Sequence, residues 1–198
     1  WHDKADGEPL FIWLHVFDAH APYAPPSDYA SKYWSPTRNP RDPALPELPV
    51  TPHMLAVAGL AGVRDPEFPL AQYRGEITFL DAQLARVLES SRFADAVVAF
   101  VADHGESFGE HETYYGHAGL YPSTIHVPMI LAWPGAPGGT VDTRPVRSID
   151  LGRTLLDIVG GKSMTFAGTS LLDPMRRASN PGHELESSAG EDARYALA

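Results

Sequence analysis

The chain has 198 residues, a length that suits one domain able to bury roughly 70% of the surface its unfolded form exposes. Hydrophobic residues at 43% and charged residues at 20% exclude a collagen-like or wholly disordered chain, and a net charge of -10 sets a polyanion such as nucleic acid against the protein's average field. With no cysteine, disulfides, thiolate metal sites and a cysteine nucleophile are excluded within these residues, while the compartment stays open.

The chain opens on Trp1 without an initiator Met, which reads as a piece of a longer protein. Residues 10–17 (LFIWLHVF) are almost continuously apolar and follow Gly7 and Pro9, the pattern of a strand buried on both faces; His15 is then expected to be packed inside it. Residues 18–52 are dense in proline, from Pro22, Pro25 and Pro26 to Pro49 and Pro52, which predicts an extended surface excursion. Leu70, Tyr73, Ile77, Leu80, Leu84 and Leu88 recur three or four apart and mark an amphipathic helix of about six turns. Asp81 lies on that stripe, where a carboxylate needs a hydrogen-bond partner or a loop to cap.

Residues 96–102 (AVVAFVA) form the longest unbroken apolar run, far short of the roughly 20 residues of a membrane-spanning helix. They predict a second buried strand, 127–133 (VPMILAW) a third, and 141–146 a short strand near an edge. Ser148 or Asp150 can cap a following helix with Leu151, Leu155, Ile158 and Val159 inward and Gly160 and Gly161 at its end. This order of elements implies an α/β layered domain with a largely parallel sheet. Residues 173–198 turn polar and acidic, the composition of a loose tail in which 194–198 begins a truncated strand.

Ligands of open α/β sheets bind beyond the carboxyl ends of the strands, and two polar clusters directly follow strands here. One is Asp18-Ala19-His20-Ala21-Pro22-Tyr23; the other runs from Asp103-His104-Gly105-Glu106 through His111 to His117. Carboxylate and imidazole together suit a hard or borderline divalent cation. Asp103 and His104 are adjacent, so both reach one ion only if the strand has ended and the backbone turns at Gly105. On local chemistry alone, a metal site and a hydrogen-bonded loop both stay open. His111-Glu112-Thr113-Tyr114-Tyr115 fails the H-E-x-x-H zinc pattern, because Tyr115 stands in the second histidine's place. Gly105-Glu106-Ser107-Phe108-Gly109 satisfies the G-x-S-x-G elbow of serine hydrolases, but no apolar helical pattern follows it.

Taken with FIWLHVFDAHAPYAPP, YRGEITFLDAQLARVL and VRSIDLGRTLLDIVG, the block VVAFVADHGESFGEHETYYGHAGLYPSTIHVPMILAWPG resembles the sulfatase family of the alkaline phosphatase superfamily, over about residues 10–172. The resemblance implies an alkaline phosphatase-like three-layer sandwich, incomplete here. It places residues 1–172 in the C-terminal part of the catalytic domain and 173–198 in a polar tail or a further subdomain. The family hydrolyses sulfate esters with a formylglycine made in a C/S-x-P-S-R motif, beside a divalent cation. Asp103 and His104 match its second pair of metal ligands. His20, in the H-x-P-Y string, matches a histidine that contacts the sulfuryl group or helps the leaving group, and His117 matches a position that binds a sulfate oxygen and can act as a general acid. His111 is expected in a loop or behind the ligands.

The implied cation is calcium first, with manganese, magnesium and zinc open. The implied partner is a small-molecule or glycan sulfate ester, with no nucleic acid and no membrane-spanning segment in this chain. Neither the C/S-x-P-S-R string nor the early paired aspartates of the family occur among these residues. The formylglycine is therefore expected upstream, and the chain alone is expected to be inactive. A phosphate or phosphonate ester hydrolase or phosphoryl transferase of the same superfamily, and a non-catalytic binding scaffold, are the alternatives.

Overall fold

The structure, a computed structural model, describes residues 9–136, 139, 141–161 and 166–172; the tail 173–198 lies outside them. Its chain falls into two compact units, Trp1–Ser90 with Glu106–Gly116, and Ser91–Gly105 with His117–Ala198.

In the first unit, the helix expected from the leucine spacing forms as Glu67–Leu88, with short helices at Ser27–Ala30 and Pro52–Val57 before it; in chain order these are α1 (Ser27–Ala30), α2 (Pro52–Val57) and α3 (Glu67–Leu88). Thr51 caps α2 by accepting the Met54 N–H, and Pro52 occupies its first turn, where a missing N–H costs nothing. The buried face of α3 is not the leucine stripe. Pro69, Ala71, Gln72, Gly75 and Glu76 are buried, Ile77 and Leu88 are exposed, and Asp81 points to solvent instead of seeking a partner. The missing side chain at Gly75 lets Pro25 lie directly on the helix, where a Cβ would stand 2.8 Å from it.

The proline-rich segment runs largely at the surface, as expected, but it is pinned at two points. Tyr23 and Trp34 are buried, and Tyr23 joins Leu55, Ala58, Leu60, Val63 and Tyr115 in the core. Tyr29 packs edge-on against Phe79, and the hydroxyls of Tyr33 and Thr78 are 2.7 Å apart, so α1 is held on α3. Two strands, β2 (Ser107–Phe108) and β3 (Tyr114–Gly116), pair antiparallel, with Phe108 and Tyr115 turned toward Tyr23 and Tyr73.

The second unit is built on β1 (Val98–Val101) and β4 (Met129–Ala132), paired antiparallel from Val98 opposite Ala132 to Val101 opposite Met129. The largely parallel sheet expected from the sequence is thus not what the described residues form: both ladders are antiparallel. Residues facing each other across an antiparallel pair share a side of the sheet. One side therefore carries Val98, Phe100, Ile130 and Ala132, the other Ala99, Val101, Met129 and Leu131, and both are apolar.

A buried strand was also expected at residues 10–17, but this segment pairs with nothing among the described residues, Trp13 is 77% exposed, and His15 is exposed, not packed. Apolar character gives a segment a reason to be covered but no backbone partner. Residues 141–146 likewise form no strand.

After the short helix α4 (Pro122–Ile125), the helix α5 (Ser148–Ile158) begins directly after Arg147, whose backbone N–H donates to Asp150. Asp150 rather than Ser148 therefore satisfies its first turn. The guanidinium of Arg147 and the Thr169 N–H complete the shell and hold the Asp150 carboxyl down at about 2, the hydrogen bond from the Arg147 side chain being the largest cause. Val159, expected to face inward, is exposed. The buried residues of α5 are Asp150 and Thr154, and Thr154 accepts the Leu171 N–H.

Candidate functional site

His20 belongs to the first unit and sits in a turn after the exposed segment. Its backbone N–H donates to the Phe17 carbonyl, its ring lies 4.6 Å from that of Phe17, and its Nδ1 is 2.7 Å from the Ala21 carbonyl oxygen. A carbonyl oxygen can only accept, so Nδ1 carries a proton. Proton exchange with any substrate then falls to Nε2.

The following residues are seated on glycines and on α3. A Cβ at Gly59 would lie 2.7 Å from Pro22, and one at Gly75 would lie 2.8 Å from Pro25. The Ala24 N–H donates to Glu76 Oε1 at 2.7 Å. Burial raises the Glu76 carboxyl to about 6, with Asp18 pushing the same way and the Ala24 N–H and His20 opposing. The buried Tyr23 hydroxyl is pushed up by burial first and then by the Glu106 carboxylate.

Asp103, His104 and His117 belong to the second unit. The ladder ends at Val101, two residues before Asp103, and the backbone turns there. Asp103 Oδ1 accepts the His104 N–H at 3.0 Å, and the Gly105 N–H donates to the Thr124 carbonyl at 2.7 Å. A Cβ at Gly105 would stand 2.1 Å from the Ser123 carbonyl oxygen, so only glycine permits this approach. His104 Nδ1 lies 2.8 Å from the Gly105 carbonyl; the carbonyl can only accept, so Nδ1 is the donor and Nε2 is the ring nitrogen left to face a metal.

The Asp103 side chain is 84% exposed, and its Oδ1 is 3.8 Å from His104 Nε2. Two ligands that each stand roughly 2.0–2.6 Å from one ion can have that separation. The His117 ring stacks on His104 with centroids 3.8 Å apart, each ring offering a nitrogen within 4.8 Å of the other's. The loop after His117 is fixed by Thr124, whose hydroxyl donates to the Gly119 and Tyr121 carbonyls.

The remaining sequence candidates fall away from this chemistry. Ser107 is 0% exposed and lies in β2, followed by the 3-10 turn Glu110–Glu112, so it is no nucleophile elbow, which needs an exposed hydroxyl ahead of a helix. His111 is exposed in that turn at a left-handed φ of 52°. Sequence reasoning missed Glu76, because a periodicity search follows apolar residues and passes over a carboxylate on the buried face. The signal available was the small pair Ala71 and Gly75 beside Gln72 and Glu76.

A strand end carrying a carboxylate and an imidazole, with a second imidazole stacked beside it, makes a polar centre suited to a cation and an anionic ester. The model of the family described as Sulfatase matches residues 1–161, and the chain belongs to that family. Among curated proteins it is 27% identical to the multifunctional alkaline phosphatase superfamily protein PehA of Trinickia caryophylli, over 84% of this chain and 37% of that one. It is 25% identical to an arylsulfatase of Clostridium perfringens, over 95% and 42%. Among solved structures, the phosphonate monoester hydrolase SpPMH of Silicibacter pomeroyi superposes with a TM-score of 0.64 at 26% identity, covering 85% of this chain and 38% of that one. The chain thus spans about two-fifths of the length of these relatives. The described residues contain no helix long and apolar enough to cross a membrane.

Proposed function

We propose that the protein carrying this chain is a metal-dependent sulfuric ester hydrolase with the three-layer alkaline phosphatase-like sandwich, in which Asp103 and His104 are two ligands of a divalent cation, calcium first. The observation that carries this reading is the turn at Gly105, which brings Asp103 Oδ1 within 3.8 Å of His104 Nε2 while the Gly105 carbonyl holds the imidazole in the ligating tautomer. Such a cation, when bound, polarises the ester oxygens and lowers the charge cost of attack. His117, beside His104, holds a sulfate oxygen and gives a proton to the departing alcohol. His20, with Nδ1 fixed on Ala21, meets the sulfuryl group or the leaving group through Nε2. None of the 198 residues lies in a C/S-x-P-S-R string, and the reading takes a formylglycine nucleophile from outside them. The substrate is a small-molecule or glycan sulfate ester.

The likeness to SpPMH favours a second reading, a phosphonate or phosphate ester hydrolase on the same scaffold. Parallel turnover of an aryl sulfate, an aryl phosphate and an aryl phosphonate by the whole protein separates the two. A preference for sulfate supports the first, a preference for either phosphorus ester the second, and no turnover of any of them contradicts both. His117→Ala is expected to lower turnover of the preferred ester about 100-fold, the usual scale of a general acid.

A further inference from the structure

Glu76 takes no part in the chemistry proposed above, yet it is buried to 4% exposure. Asp65 is as deep, but Asp65 has Arg38 at 2.5 Å. No lysine or arginine pairs with Glu76 among the described residues, and its Oε2 has no hydrogen-bond partner there. A carboxylate kept in such a place costs more than an apolar side chain of the same size. What it does on the page is accept the Ala24 N–H at 2.7 Å, over a span of 52 residues.

Its neighbour Gly75 makes room for Pro25, so one turn of α3 both seats and ties the segment that begins at His20. Within that segment the Ala21 carbonyl takes the His20 Nδ1–H. The chain of contacts runs from Glu76 to Ala24, back along the backbone to Ala21, and so to the orientation of the imidazole. We propose that Glu76 is a positioning residue, which fixes the reacting nitrogen of His20 by holding residues 21–24 on α3. The inference rests on the part given to His20 in the proposed hydrolysis.

The test compares Glu76→Gln, which keeps an acceptor oxygen, with Glu76→Met, which fills a similar volume with a good helix former and has none. Both are made in the whole protein and in a His20→Ala background, with melting temperature measured alongside turnover of whichever ester the protein hydrolyses. Glu76→Met is expected to lower kcat about tenfold with KM within about twofold, because a small misplacement of a reacting group is costly. Glu76→Gln is expected to stay within about threefold of the parent. In the His20→Ala background Glu76→Met is expected to cost under twofold, the non-additivity of two residues that act as one. An equal loss in both backgrounds, a tenfold loss in Glu76→Gln, or no loss in Glu76→Met overturns the positioning role. His20→Ala with full activity overturns the part given to His20 itself, whereas a large loss there with none in Glu76→Met removes only the role of Glu76.

Discussion

The two loops that carry the candidate residues are held in place by different means. Around His20 the backbone is tied to a long helix: Ala24 donates to a buried carboxylate, and Pro22 and Pro25 press on Gly59 and Gly75. Around Asp103 the ties are short and local. Asp103 and Gly105 each bond within one residue to His104, and the Gly105 N–H ties the turn to the Thr124 carbonyl, while the Asp103 carboxylate stands in solvent. The first loop is prebuilt by packing. The second fixes a backbone path and leaves the carboxylate exposed, where the proposed cation would draw it in. The division suits the proposed hydrolysis, in which a histidine that handles protons must be aimed beforehand, whereas charge can gather ligands around an ion.

The largest expected effect in breaking this contrast comes from Gly105→Ala. A Cβ placed 2.1 Å from the Ser123 carbonyl must move backbone, at a cost of about 2 kcal/mol or more by the scale of overpacked sites. A fall in melting temperature with loss of turnover is expected, and a variant as stable and active as the parent would show the turn to be dispensable.

A smaller effect separates the loops by pH. The Glu76 carboxyl is raised in the fold to about 6 from 4.5, so proton binding favours the folded state. Its contribution is full below pH 4.5 and is lost as pH rises through about 6. Unfolding free energy of the parent minus that of Glu76→Gln should therefore decline across this window, and a flat difference curve would contradict the burial assigned to Glu76. Asp150 behaves in the opposite sense. With its carboxyl at about 2 against 3.8, its contribution is present above 3.8 and lost as pH falls toward 2. The smallest expected effect is that of Ser107→Ala, which should leave turnover unchanged and take no fluorophosphonate label from the parent, since Ser107 is fully buried.

The sequence made some of this legible and not the rest, for identifiable reasons. The helix Glu67–Leu88 and the strands Val98–Val101 and Met129–Ala132 stand where apolar spacing put them, because their signals are local. Strand direction is not local, and β1 and β4 pair antiparallel where a parallel sheet was expected. The rotation of α3 escaped notice because its buried face is made of Ala71, Gln72, Gly75 and Glu76, chosen for close approach and hydrogen bonding instead of hydropathy. At the site, Asp103, His104 and His117 were visible as a dense polar string after a strand. The turn that lets Asp103 and His104 face one point depended on Gly105, whose need for a missing Cβ only the Ser123 carbonyl reveals.

The central claim is that Asp103 and His104 hold a divalent cation used in ester hydrolysis. Its most direct test is the metal content of the purified whole protein and of Asp103→Ala, read by elemental analysis on the same samples whose turnover is measured. The account predicts bound divalent metal in the parent, and in the variant a loss of metal together with a fall in turnover on the order of a thousandfold. Equal metal content and equal turnover in the two proteins would contradict it.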